Sequence, residues 1–426
     1  VGGTCLNRGC IPTKAMLASS ELYEKIKRAD EFGISIDGTV TADLARIVSR
    51  KQKVIQTQIK GIKGLFRSWG VVLKHGRGRI VSERKIKIEA DTEETIEVDR
   101  IIIATGSRPA ELPLFPFDGD SIISSTEALE LKEIPRTLVI IGAGVIGCEF
   151  ATLFRALGSE VTLVELMPRA LTTEDEEISR LLERELKKKK IKLITDVRAE
   201  RVQKTRDGIH IGLSNGKEIV ADKVLVSIGR KLNSDGIGLE EIGVETGQRG
   251  EIKVDERLQT NVPGIYAVGD VTGGPMLAHV ASREGLVAAI NATGGDIRMD
   301  YSVVPSAIFT SPEIGSVGLR EQEAKERGIP YQTGHFQFRT LGKAHAMGEI
   351  SGLIKIIADP ETDKILGGHI IGPHASDLIH EIAVSMKNGV TIKGIAETIH
   401  AHPTLSEGIM EASEDVHGEA IHVPKG

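Results

Sequence analysis

The sequence predicts a multidomain α/β protein, and three observations carry that class. The first is one unit in the middle of the chain. The β-branched strand Thr137–Ile141 runs into Gly142-Ala143-Gly144-Val145-Ile146-Gly147-Cys148-Glu149, then a helix to about Gly158, then a strand Glu160–Val164 that ends at Glu165. The second is a recurring strand that ends in a small-residue turn: Arg100 to Gly106, Lys223 to Gly229, and Ile265 to Asp270. Ligands of open α/β sheets sit beyond such strand ends. The third is a change of character from Val304 onward, where alternating strands are followed by helices. A chain of 426 residues exceeds what one core organises, so roughly two to four domains are expected.

The composition is that of an ordinary globular protein, with 40% hydrophobic and 27% charged residues. A net charge of −6 gives no argument for nucleic acid or an anionic membrane surface as partner. The run Lys187-Lys188-Lys189-Lys190 reads as a solvated helix face. No apolar run approaches the ~20 residues of a membrane span, and no signal peptide is visible. Three cysteines, Cys5, Cys10 and Cys148, do not make a disulfide scaffold and favour a reducing compartment.

Two of those cysteines open the chain. Cys5 and Cys10 lie in what reads as a glycine-rich turn, Gly2 to Gly9, before a helix from Ile11 to about Ala29. Pro12 suits a first helical turn, where a missing N–H costs nothing. Cys10 therefore lies at a helix N-terminus, whose dipole and N–H groups stabilise a thiolate. Lys14, one turn on, adds positive charge. A close pair of thiols, one of them activated, suits dithiol–disulfide exchange. The same pair also reads as two inert thiols or half a metal site.

A second helix is expected over Thr41–Ser68, followed by strands at Val71–Leu73 and Gly76–Val81 and a hairpin from Lys85–Glu89 and Glu94–Val98. Pro109, Pro113 and Pro116 mark a linker. The central unit then supplies chemistry. Strand, G-x-G-x-x-G, helix, strand and acid, with Glu165 about 20 residues after Gly142, form a dinucleotide-binding pattern. The glycines let the backbone approach a pyrophosphate, and the helix N-terminus supplies positive potential. A carboxylate at Glu165 suits the ribose diol and repels a 2′-phosphate, which favours NAD over NADP; Arg169 lies four residues on.

Thr173 to Glu176 reads as a capping box for a helix to Lys190, and Asn215-Gly216 as a turn between strands near Val202 and Ile209–Leu213. Asp270 reads first as a turn or cap residue, and also suits a polyol at a strand end. A helix is expected over Leu277–Ala292, and in the last segment strands over Gln332–Arg339, Gly352–Ala358 and Lys364–Ile371 and helices over Ala375–Lys387 and Thr391–Ile399. His402, just before Pro403, is a titratable group that Glu407 can orient. Thr404 to Glu407 is also a capping box. His400 and His402 have no further ligands spaced for a metal, so none is expected.

Together these motifs resemble the pyridine nucleotide–disulfide oxidoreductases, and within them the branch that oxidises dihydrolipoamide. The resemblance covers the whole chain and is carried by Cys5–Lys14, Gly142–Glu149, Asn261–His279 and His400–Glu407. It implies two Rossmann-like domains, for FAD and NAD, and a C-terminal α+β dimerisation domain. The implied boundaries are 1–112 with 234–303 for the FAD-binding part, 113–233 for the NAD-binding part and 304–426 for the dimerisation part. It further implies a Cys5–Cys10 redox disulfide beside the flavin, with Cys5 as the interchange thiol and Cys10 facing the flavin. His402 is then a base serving the opposite subunit, held by Glu407. Flavin contacts fall on Lys14, paired with Glu149, and on Gly78, Thr105, Gly106, Ser107, Asp270, Met276, Leu277, Ala278 and His279. Nucleotide contacts fall on Gly142, Gly144, Val145, Ile146, Gly147, Glu149, Glu165, Val197 and Gly229.

The implied partners are a second copy of the chain and a lipoyl-bearing domain of an E2 or H-protein type. The implied compartment is the cytoplasm, or the mitochondrial matrix in a eukaryote. The family also opens with its own strand and glycine turn for the ADP half of FAD. Val1 stands within a motif, so upstream residues are expected. Thr13 stands where lipoamide members often carry Ser, and Val145 where glutathione-reducing members often carry Tyr. Reduction of another disulfide, or a flavin-free inactive form, are the alternative readings.

Overall fold

The computed structural model describes residues 1–424. The chain forms two compact units. One comprises Val1–Ala15, Ser49–Ala110 and Gly229–Tyr301, and the other Met16–Val48, Glu111–Ile228 and Ser302–Gly426.

In the first unit the expected glycine-rich turn is a short helix, Gly3–Arg8, followed directly by the start of the helix Cys10–Lys27, whose residues from Met16 on belong to the second unit. Gly2 enters with φ +93°, a conformation glycine adopts without strain. The Asn7 amide donates to the carbonyls of Gly3 and Val1, which closes the short helix locally. The Gly9 carbonyl accepts both the N–H and the hydroxyl of Thr13, so the second helix starts at once. The helix Leu44–Ser68, in this unit from Ser49 on, ends with the Val71 N–H bonded back to the Phe66 carbonyl. Val71–Leu73, expected as a strand, is therefore irregular and exposed. The strands Lys85–Glu89 and Glu94–Glu97 form the expected hairpin, and Arg77–Ser82 pairs with it to make a three-stranded antiparallel meander. Ile101–Ile103 pairs in parallel with Ile265–Ala267, and Ser107–Pro109 pairs antiparallel with Arg230–Leu232. Their core is Ile80, Ile101, Ile103, Ile252, Ile265 and Val271.

The second unit contains a five-stranded parallel sheet. Its order is Ile122–Ile123, Lys223–Val226, Thr137–Ile141, Glu160–Val164, Lys192–Ile194. Thr137–Ile141 is central and almost wholly buried, as a parallel strand covered on both faces must be. The helices Val145–Leu157 and Glu176–Lys188 belong to the same unit. Asp175, not Thr173, caps the second of these, accepting from the Glu177 N–H. The residues from 302 onward add an antiparallel sheet ordered Ser306–Ile308, Glu313–Gly318, Ile365–Gly372, Leu353–Ala358, Gln332–Gln337. The helices Ala375–Lys387 and Glu407–Val416 pack on it. The helix expected over Thr391–Ile399 is shorter, Ile392–Ala396.

One feature of this sheet has no local signature beyond a lysine within an apolar strand. Lys355 is 1% exposed. It pairs in register with His369 on one side and His335 on the other, and Ser316 lies opposite His369, so a polar row crosses the sheet. The Lys355 ammonium lies 3.0 Å from Asp175, 2.6 Å from Glu321 and 3.3 Å from Glu177. Burial and three partners must come together, because an isolated buried ammonium is strongly disfavoured. Burial works against the charge on Glu321, but hydrogen bonds from Lys325 and Lys355 outweigh it and hold its carboxyl at about 2.

This depressed value gives a stability prediction. A carboxyl that titrates lower in the folded chain than in the unfolded one stabilises the fold above the unfolded value of 4.5. That contribution is lost as pH falls from 4.5 toward 2. The melting temperature, followed by circular dichroism, is expected to drop over this interval. Glu321→Gln is expected to flatten the dependence.

Candidate functional site

Each unit carries a distinct set of the expected residues. The first holds Cys5, Cys10, Lys14, Gly78, Thr105–Ser107, Gly229, Asp270 and Met276–His279. The second holds the Gly142–Glu149 turn, Glu165, Val197, His402 and Glu407.

In the first unit Cys5 and Cys10 stand as thiols. Cys10 is exposed and is the first residue of its helix, where backbone N–H groups and the dipole favour a thiolate. Cys5 is half-buried. Its hydrogen bond to Cys10 is the main reason that its thiol is pushed up, with burial adding to it and Lys14 opposing. The two sulfurs are thus unequal, one keeping its proton and the other lying where charge is stabilised.

The strand ends form a second polar group there. The Ser107 hydroxyl donates to the Asp270 carboxylate. Arg230 donates through Nε to the Ser107 hydroxyl at 2.6 Å and through Nη2 to its carbonyl at 2.8 Å. Asp270 lies in a 3-10 turn, Gly269–Thr272, whose cap is not an Asp side chain. Its carboxylate is therefore a partly exposed acceptor held by Ser107, which fits a polyol hydroxyl. Gly106 has φ +67° with open space where a Cβ would stand, room suited to a ligand passing close to the backbone. Gly78 is exposed, as are Met276, Ala278 and His279, while Leu277 caps the helix Ala278–Ala292. Arg230 was not anticipated; its position directly after Gly229 is the one sequence signal for it.

In the second unit the three glycines divide the work. A Cβ on Gly142 would lie 2.7 Å from the Ser227 carbonyl oxygen, and one on Gly147 would lie 2.0 Å from that of Gly142. Gly144 has nothing within 4 Å. Two glycines permit close strand–helix packing and the third leaves the helix N-terminus open to a pyrophosphate, so the turn fits a dinucleotide. Val145 and Ile146, half-buried, form the first helical turn.

Glu165 accepts the Ala143 N–H at 2.6 Å on one oxygen and the Met167 N–H at 2.9 Å on the other. Its remaining lone pairs stay suited to a ribose diol. The buried Val197 donates its N–H to the Glu165 carbonyl at 3.1 Å. Glu149 is buried and accepts the Phe309 N–H at 3.0 Å. Cys148, fully buried with its thiol pushed up by burial, packs behind the turn. Arg169 is occupied elsewhere: it donates to the carbonyls of Leu171, Thr172 and Glu174.

His402 holds its Nδ1 at 2.8 Å from Glu407 Oε1, with the side chain 78% exposed. The other Glu407 oxygen accepts the Thr404 N–H at 2.7 Å. The Glu407 reading as an orienter of His402 holds; the expected capping box does not form, because Ser406 takes the N-cap position and the Thr404 hydroxyl donates to the Ala401 carbonyl at 2.7 Å. Burial works against its charge, but the Thr404 N–H and His402 outweigh it and keep the carboxyl below its usual value. His400 turns instead to Glu381, at 2.8 Å. Among the described residues no three His, Cys, Asp or Glu side chains are grouped to hold a metal ion. A concavity of about 330 Å³, lined by Glu176, Glu177, Arg180, Leu181, Arg184 and Glu321, contains none of the expected residues. No helix among the described residues is long and apolar enough to cross a membrane.

Glu165 holds two backbone N–H groups and keeps lone pairs suited to a ribose diol, so its removal tests whether it also serves a nucleotide. Glu165→Ala is expected to raise the KM for NAD+ about tenfold, a loss of ~1.4 kcal/mol. It is also expected to narrow the preference for NAD+ over NADP+, as steady-state kinetics with both nucleotides would measure. An unchanged NAD+/NADP+ ratio would remove the ribose role.

Comparison with known proteins adds to this geometry. Residues 1–285 match the model of the family described as pyridine nucleotide-disulphide oxidoreductase, and residues 304–413 match that family's dimerisation domain. The chain is 45% identical over 425 residues to a dihydrolipoyl dehydrogenase of Chlamydia muridarum, covering 99% of this chain and 91% of the relative. It is 43% identical to one from Bacillus subtilis, covering 99% and 93%, and 43% identical to a mitochondrial one from Pisum sativum, covering 99% and 86%. Among solved structures it is similar to LpdA from Mycobacterium tuberculosis, with a TM-score of 0.91, 30% identity and coverage of 97% and 91%. It is also similar to the HOCl-induced flavoprotein disulfide reductase RclA from Escherichia coli, in a Cu(II) complex, with a TM-score of 0.87, 26% identity and coverage of 97% and 90%.

Proposed function

Since the chain belongs to the pyridine nucleotide–disulphide oxidoreductase family, we propose that it oxidises dihydrolipoamide to lipoamide with NAD+ through a Cys5–Cys10 redox pair. The observation that carries this reading is the unequal pair of thiols, one at a helix N-terminus and the other hydrogen-bonded to it. Identity of 45% and 43% to dihydrolipoyl dehydrogenases over 99% of this chain supports it.

Enzymes of this family use FAD and NAD(H). Bound FAD supplies the two-electron relay between the cysteine pair and NAD+. Lys14, Gly78, Thr105–Ser107, Asp270 and Met276–His279 would hold it. The Gly142–Glu149 turn, Glu165 and Val197 would hold the nicotinamide nucleotide. The domains follow as 1–112 with 234–303, 113–233 and 304–426, the last being the dimerisation domain.

The protein's own groups then act in order. His402, serving the thiols of the opposite protomer, accepts a proton from dihydrolipoamide, and Glu407 stabilises the resulting imidazolium. The substrate thiolate attacks the Cys5 sulfur of the Cys5–Cys10 disulfide. The bond to Cys10 breaks, and its electron pair leaves on Cys10 as a thiolate, stabilised by the helix N-terminus and Lys14. The second substrate thiol displaces Cys5 from the mixed disulfide. Lipoamide leaves oxidised, and the cysteine pair is left reduced by two electrons, which pass on to NAD+. The substrate carrier is a lipoyl-bearing domain, and the reaction runs in the cytoplasm.

Cys10→Ser is expected to abolish lipoamide-dependent NADH formation. His402→Gln is expected to slow that turnover by roughly 10²–10⁴, the range for a lost general base, while NADH oxidation by an artificial acceptor persists. Full lipoamide turnover by Cys10→Ser, or equal losses in both assays for His402→Gln, would overturn the assigned roles.

A further inference from the structure

The peptide of Ala143, inside the glycine turn, is held at both ends. Its N–H goes to Glu165. Its carbonyl accepts the Leu171 N–H at 3.0 Å and also the Cys148 thiol at 3.3 Å. Leu171 is 1% exposed and has φ +48°, a left-handed conformation that a branched side chain rarely adopts. Such strain persists only where the surroundings over-determine it. Here the surroundings are explicit. The Arg169 guanidinium donates to the Leu171 carbonyl at 3.1 Å, to that of Thr172 at 3.1 Å and to that of Glu174 at 3.3 Å, so one side chain wraps the bend. The Glu174 N–H closes back on Leu171 at 2.9 Å, and the Ala170 carbonyl accepts the Ser179 hydroxyl.

The far end of the bend is fixed by charge. Asp175 is fully buried and bonds to Lys355 and, through its other oxygen, to the Glu321 N–H at 3.1 Å. The Glu174 carbonyl accepts the Gln322 amide at 2.9 Å. An unbroken series of bonds therefore runs from Lys355, on the antiparallel sheet, through Asp175 and the bend to the Ala143 carbonyl.

We infer that residues 169–175 form a brace that positions the nucleotide turn, clamped by Arg169 and anchored on Lys355 through Asp175. Residues that do not form the turn then set its affinity for the nucleotide. This rests on the reading of Gly142–Glu165 as the NAD site. Arg169 and Asp175 are positioning residues, not catalytic ones.

The test uses the FAD-loaded, full-length protein and NADH as probe. Arg169→Met loosens the clamp at a half-buried site. Asp175→Asn keeps a helix-capping side chain and removes the charge paired with Lys355. Both are expected to raise the NADH Kd and the NAD+ KM about tenfold, with the dihydrolipoamide KM unchanged. Because Asp175 is wholly buried, an effect there cannot come from direct contact with the nucleotide. Wild-type affinity for NADH in both variants overturns the brace, as does a lower melting temperature with unchanged NADH affinity, which marks a merely structural role. If the wild-type protein fails to bind NADH, the reading of the turn itself falls, and the brace falls with it.

Discussion

A side chain on Gly147 would collide with the carbonyl oxygen of Gly142 at 2.0 Å, and the second unit depends on that contact being possible. It brings the first turn of the helix Val145–Leu157 against the end of the strand Thr137–Ile141. The helix then buries Cys148, Phe150, Ala151, Leu153, Phe154 and Leu157 in one core with Leu138 and Ile140. The same contact points the helix N-terminus past Gly144 into open space. Packing and ligand geometry are therefore one constraint, because the close approach that seals the core also aims the unpaired N–H groups outward.

Carboxylates expected at the functional sites turn out to hold backbone or neighbouring side chains. Glu165 fixes the N–H groups of Ala143 and Met167, Glu407 fixes Thr404, and Asp270 is gripped by Ser107. A carboxylate has about four lone-pair sites, so these bonds leave acceptors available. They also remove rotamer freedom before any ligand arrives, which lowers the ordering cost of binding. Holding the chain in place and presenting acceptors are not rivals in such residues. His402 shows the result, since its ring is mostly exposed yet fixed in orientation by a carboxylate that is itself tied to the chain.

What was legible in the sequence follows from how local the underlying physics is. The glycine spacing, the acid at Glu165, the thiol pair and the His402–Glu407 pair were readable because each rests on residues close in sequence or on chemistry few residue types possess. Local patterns misled where a neighbour decided the outcome. Gly2 to Gly9 looked like a turn but winds into Gly3–Arg8 because Asn7 closes it. Val71–Leu73 has strand composition, yet the end of the preceding helix takes the Val71 N–H. Thr173 resembled a cap until Asp175 took the position. Arg169 sat where a 2′-phosphate partner was worth considering, but its donors are spent on three carbonyls.

The least legible feature was the pairing of Lys355 with Asp175, residues 180 positions apart. A buried ion pair is weak support for stability, because desolvation cancels much of the attraction. Its value lies in what it excludes. Shifting the strand Leu353–Ala358 by one residue would turn Lys355 to the other face of the sheet and leave Asp175, Glu177 and Glu321 without their shared cation. An uncompensated buried charge costs about 3–5 kcal/mol, comparable to much of a domain's net stability. The neighbouring residues of that strand, Leu353, Ile354, Ile356 and Ile357, are apolar and buried, and burial of apolar surface is non-directional. The ammonium needs its carboxylate partners, so it selects a single register and with it the position of Asp175 at the head of its helix.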